Sequence, residues 1–155
     1  RKTLSAALKR WPDNAALHSV HSFILLKSED YDHAIIEAKY ALTLDPNLQN
    51  TLSVLGEAYR RKGNDRLAIL YWERYLEENN ADLEAHFALI ELYAQQKRAE
   101  DLSRTIGNAM SLKKSIGWKE TFNRLVAEKN VSCYTPSPAK IMAIMRNHVN
   151  NDFNR

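Results

Sequence analysis

The chain has 155 residues, a length that suits one compact domain and leaves little room for a catalytic domain beside a regulatory one. With 45% hydrophobic and 26% charged residues but only four Gly and four Pro, it is neither disordered nor collagen-like, and the scarcity of turn formers favours long helices. The net charge of +3 is too balanced to mark nucleic acid or an anionic membrane as the main partner, the lone Cys133 excludes an internal disulfide, and no apolar run approaches the roughly 20 residues of a membrane span.

The first residue is Arg1 rather than Met, which points to a fragment or processed form whose targeting segment would lie upstream; a soluble protein is expected, with the cytoplasm the favoured compartment. Residues 1–14 predict the second helix and closing turn of an incomplete unit, ending at Pro12 in RWPDN. Pro46 in LDPN lies 34 positions further on, and the residues before it correspond as well, Ala7 with Ala41 and Leu8 with Leu42. The same offset joins Ala34 to Ala68, Leu25 to Tyr59 and Tyr93, and His21 to Leu55 and Leu89. A fixed period of this size means a repeat architecture.

Within each period the pattern predicts a helical hairpin. Leu52, Leu55, Ala58 and Tyr59 fall on one helical face, and Leu67, Ala68, Leu70, Tyr71 and Tyr75 continue the pattern after the short turn Lys62-Gly63-Asn64. Ala34 and Ala68 lack bulk where antiparallel helices approach, and Gly63 suits a helix end that needs a left-handed residue. Pro46 stops a helix, with Asp45 able to bond the turn. The third period keeps Leu89, Tyr93 and Ala109 but has Leu102 at the small position. Beyond residue 112 the period fades. Trp118, Phe122, Leu125 and Val126 predict one helix, and Ser137-Pro138 opens another with Ile141, Met142, Ile144, Met145, His148 and Val149 on a broad apolar stripe. These two helices suit a cap on the open end of a stack; the alternative is a C-terminal helix that pairs with a second copy as a homodimer.

Residues 15–48, AALHSVHSFILLKSEDYDHAIIEAKYALTLDPNL, resemble a tetratricopeptide repeat, and residues 49–82 do so more closely through Leu52, Leu55, Gly56 and Tyr59, then Gly63, Ala68, Trp72 and Leu76. Residues 83–112 resemble a degenerate copy, with 113–155 left as capping helices. The resemblance covers about two-thirds of the chain. It implies an all-α fold, an α-solenoid of stacked antiparallel helical hairpins wound into a superhelix, and a non-enzymatic protein–protein interaction module cut from a larger scaffold or assembly protein.

The residues give little support to catalysis or to a cofactor. His18 and His21 could bind a metal from one helix face, but His18 and His86 fall at matching positions of the period, which favours rings packed between helices, and no metal site is expected. Asp32 and His33 sit at a helix start, Asp toward the exposed amides and His toward solvent. Cys133 and His148 lack an orienting third group. The four glycines are isolated from one another, so there is no phosphate loop, and Asn130-Val131-Ser132 matches a glycosylation acceptor too short to carry weight. Residues 113–155 hold eight Lys or Arg against three Asp or Glu, a basic surplus scattered over predicted helices and read as a solvated face, not a nucleic-acid site.

Recognition is the remaining activity. The first helices of stacked hairpins line a concave surface suited to a peptide or a partner helix. The repeat register places Ser19, Val20, Phe23 and Lys27 there from the first period, Asn50, Ser53, Val54, Glu57 and Arg61 from the second, and Glu84, Phe87, Ala88 and Glu91 from the third. Phe23, Val54 and Phe87 would form an apolar strip for Leu, Phe or Tyr side chains, unless the chain's own cap covers them. Members of the resembled family that grip a terminal carboxylate do so with Lys, Asn and Arg across these helices. Here Ser19, Phe23, Val54, Glu84 and Ala88 stand in those places, so tail capture of that kind is not expected.

Overall fold

The computed structural model describes residues 2–112, with side chains from Leu4 onward, together with Ala143 and Arg146, which are helical and exposed. Apart from those two residues, the expected capping helices lie outside the described residues, as do Cys133, His148 and the proposed dimerising stripe. Seven helices follow in order: α1 (Lys2–Arg10), α2 (Ala15–Lys27), α3 (Tyr31–Leu44), α4 (Gln49–Arg61), α5 (Asp65–Glu78), α6 (Leu83–Gln95) and α7 (Ala99–Ser111). There is no strand among the described residues. The chain divides into two compact units, Arg1–Glu78 and Asn79–Arg155. The first contains α1 and the hairpins α2–α3 and α4–α5; the second contains the hairpin α6–α7.

The 34-residue period reappears as geometry. Ala15, Gln49 and Leu83 each open the first helix of a hairpin. Asn14 caps α2 by accepting from the amide of Leu17 at 3.0 Å, and Asp82, two periods on, caps α6 through the amides of Glu84 and Ala85. Leu48, at the position between them, has no side chain that can cap and makes no such bond. The three hairpin turns are one motif. Glu29, Gly63 and Lys97 adopt φ of 62°, 72° and 55°, and at each the preceding helix is closed by a paired set of backbone bonds. Glu29 donates to Leu26 and Asp30 to Leu25, Gly63 to Arg60 and Asn64 to Tyr59, Lys97 to Ala94 and Arg98 to Tyr93. This is the Schellman closure, which needs one left-handed residue. Only the second hairpin places the residue without a Cβ there; the other two hold a side chain in a region that costs roughly 1–2 kcal/mol. Between α3 and α4, Asp45 accepts from the amide of Asn47 at 3.0 Å, the turn bond expected beside Pro46.

The hairpin crossings are tight. Ala34 and Ala68 are fully buried, and a Cβ added at Gly56 would meet the Trp72 indole at 2.8 Å. In the second unit Leu83, Phe87, Ile90, Ile106 and Ala109 form the core, with Leu102 packed against it. Leu102, where the first two hairpins carry alanine, is thus accommodated as an additional core side chain.

Candidate functional site

In the first unit the exposed apolar surface of the first helices is carried by α2. Val20 and Phe23, 51% and 42% accessible, lie on one helical face with the exposed Lys27, whose ammonium stands 5.3 Å from the centre of the Phe23 ring. That spacing of three and four residues is what a helix needs to project them together. The cation over the ring fixes both side chains without hiding the apolar edge.

On α4 the same register gives a different surface. Asn50 and Arg61 are exposed, whereas Val54 is 2% accessible and Glu57 fully buried. The buried Glu57 carboxylate accepts from Arg60 Nε at 2.8 Å and from Arg61 Nε at 2.7 Å, with Arg60 Nη2 a further 2.8 Å contact. One carboxylate therefore meets two guanidinium groups, with Arg60 largely shielded and Arg61 about a third accessible. The hydrogen bond that Arg61 donates to Glu57 is the leading cause that raises the Arg61 pKa above its ordinary value. Glu57 positions the arginines and is not itself accessible to a ligand. Thr51 Oγ1 donates to Ser19 Oγ at 2.8 Å, which ties α4 to α2 beneath this face.

In the second unit, Glu84 is half-buried and Glu91 buried. Phe87 is 1% accessible and belongs to the core cluster. The strip expected from Phe23, Val54 and Phe87 is thus divided: Phe23 is a surface ring, while Val54 and Phe87 are interior side chains. Periodicity alone cannot distinguish these, because it assigns positions and not the neighbours that cover them.

Two features were not foreseen from sequence. A groove of about 690 Å³ runs between α1 and α2, its lining including Leu4, Leu8, His21, Ile24, Leu25 and Asp30. The other feature is the environment of His18. Its Nδ1 lies 2.6 Å from Glu37 Oε2 and its Nε2 lies 2.7 Å from the carbonyl oxygen of Pro12. The packed ring is as expected, but Glu37 is 19 residues away on the facing helix, and no local spacing announces it. His33 is exposed at the start of α3 and bonds Asp30, the residue that caps that helix. Asp32, in the first turn of α3, pairs instead with Lys62.

Among the described residues no group of His, Cys, Asp and Glu is arranged to hold a metal ion. No described helix is long and apolar enough to cross a membrane.

No family model matches the chain, and no curated protein sequence does. The crystal structure of MamA does match, with a TM-score of 0.68 over 99% of this chain and 89% of that one, at 15% sequence identity. At that identity the likeness shows fold: an all-α, tetratricopeptide-like solenoid of stacked antiparallel helical hairpins.

Proposed function

We propose that this chain is a tetratricopeptide-repeat module that binds a peptide or helix of a partner protein without catalysis, as part of a larger scaffold or assembly. The repeats would be 15–48, 49–82 and a degenerate 83–112, preceded by an incomplete unit over 1–14 and followed by a cap over 113–155. The observation that carries the binding reading is the exposed pair Val20 and Phe23 beside Lys27 on α2. An aromatic ring held at the surface next to a cation suits an anchor pocket for an apolar side chain with an acidic neighbour. Asn50 and Arg61 extend that surface on α4, and Val54 and Glu57 support it from below. Hairpin stacks present their first helices as extended binding surfaces, and a helix laid across such a surface is a common mode of peptide recognition.

A selection from a random peptide display library against the whole chain tests this reading. Enriched peptides should share an apolar residue followed within one or two positions by Asp or Glu, and their binding should weaken on Phe23→Ala. Failure to enrich any peptide, or enriched peptides indifferent to Phe23→Ala and Lys27→Glu alike, would count against it.

A further inference from the structure

We propose that His18 is a doubly protonated, charged side chain that links the turn between α1 and α2 to α3, and that loss of its second proton cuts this link, making it a pH-sensitive clamp on α1. Both ring nitrogens face acceptors, Glu37 Oε2 at 2.6 Å and the Pro12 carbonyl at 2.7 Å. A neutral imidazole carries one N–H and can meet only one of them; the imidazolium meets both. The 2.6 Å contact is short, as hydrogen bonds between two charged groups are. The His18 side chain is 12% accessible and Glu37 25%, so their contact is partly shielded from water, whereas the bond to Pro12 lies at the exposed turn.

A second contact joins the same two elements. Tyr40, one turn beyond Glu37 on α3, packs edge-on against the His18 ring at 4.6 Å between centroids, and its hydroxyl donates to Asp13 at 3.0 Å. The repeat supplies an internal control. His86, at the same position two periods later, directs Nε2 to the carbonyl of Asn80 at 2.9 Å, as His18 does to Pro12. Its Nδ1 is buried and meets no hydrogen-bond partner among the described residues. The His86 ring therefore meets one acceptor, whereas the His18 ring meets two.

The groups facing His18 agree with a retained charge. Glu37 on α3 and Asp13 in the turn are acidic. On α4, Thr51 bonds Ser19, the neighbour of His18 in the chain, and brings no charge. Lys9 of α1 lies in the groove with His21, and His21 Nδ1 stands 3.4 Å from the same Glu37 oxygen. Burial of His18 opposes its charge, yet the hydrogen bonds to Glu37 and Pro12, with the negative charges of Glu37 and Asp13, outweigh burial and raise its pKa above the ordinary histidine value. A raised folded-state pKa gives stability that is fully present below the unfolded value of about 6.5 and is lost as pH rises through the folded midpoint. When the proton leaves, His21 is placed to take over Glu37. Whichever bond His18 keeps, the path from Pro12 to Glu37 is interrupted.

The test is a pH titration of the whole chain by nuclear magnetic resonance, reading the His18 ring nitrogens together with hydrogen-exchange protection of the amides at Asn14 and Leu17. At pH 6.5, where an ordinary histidine is half titrated, most His18 should carry protons on both nitrogens. Protection of the turn, corrected for intrinsic exchange, should fall about tenfold or more as pH passes the His18 midpoint. Glu37→Gln should move the midpoint and the loss of protection together to lower pH. A His18 ring with one unprotonated nitrogen at pH 6.5 would overturn the proposal. So would turn protection that is indifferent to pH, or a Glu37→Gln chain that titrates as the parent does.

Discussion

The hairpins α2–α3 and α4–α5 share one register and one turn geometry, yet they build their crossings from opposite volumes. Ser22 and Ala38 are fully buried in the first; the same positions in the second are Gly56 and Trp72, with the indole against the glycine. Two small residues in one hairpin correspond to one absent and one very large side chain in the next. In the second unit the corresponding pair is Ile90 with Ile106, both in one core cluster. The repeat thus conserves a helix crossing while the side chains fill it in different ways, as close-packed interiors require.

The largest expected effects come from disturbing that filling. Trp72→Ala should cost about 3–5 kcal/mol of folding stability, as large-to-small changes of buried aromatic residues do. Gly56→Ala should cost about 1–3 kcal/mol because its methyl meets the indole. The double change Gly56→Ser with Trp72→Ala carries the first hairpin's pair into the second, and its loss in denaturant unfolding should be smaller than the sum of the single losses. Strict additivity would mean that the two positions do not share one packing site.

The contrast between surface and interior rings gives a comparable difference in size. Phe87→Ala should lower stability by about 3–5 kcal/mol, whereas Phe23→Ala should stay within about 0.5 kcal/mol, the usual range for a surface change. Equal effects in thermal or denaturant melts would remove the distinction between the two rings.

How much of this could be read from sequence differs by feature. Helix starts, turns and small crossing positions were legible, because Pro46, Gly63, Ala34 and Ala68 act through backbone constraints local to a few residues. Exposure along the first helices was not. Val20 and Val54 are the same residue type at the same register, yet one is half exposed and the other buried. That difference depends on what packs over each position, which an offset of 34 residues does not encode. The shared left-handed turn was visible at Gly63 alone, since Glu29 and Lys97 carry no residue-type signal for it. The His18–Glu37 pair was invisible because it forms across a hairpin between residues of unrelated repeat position.

Smaller effects should follow at those turns. Glu29→Gly and Lys97→Gly should each stabilise the fold by about 0.5–1 kcal/mol, since relief of the left-handed strain exceeds the added chain entropy of glycine. Gly63→Ala should destabilise by about 1 kcal/mol for the converse reason. Equilibrium unfolding of the three variants should therefore give opposite signs at equivalent positions.

The binding face is tested most directly by the affinity of one selected peptide for Phe23→Ala and for Ile36→Ala, two apolar side chains that are both exposed, on α2 and α3 respectively. Recognition by the first helices predicts that Phe23→Ala weakens the peptide about tenfold or more, the loss expected of an anchor residue worth at least roughly 1.4 kcal/mol, while Ile36→Ala leaves it unchanged. A loss at Ile36 with none at Phe23 would place recognition on the second helices and contradict the proposed face.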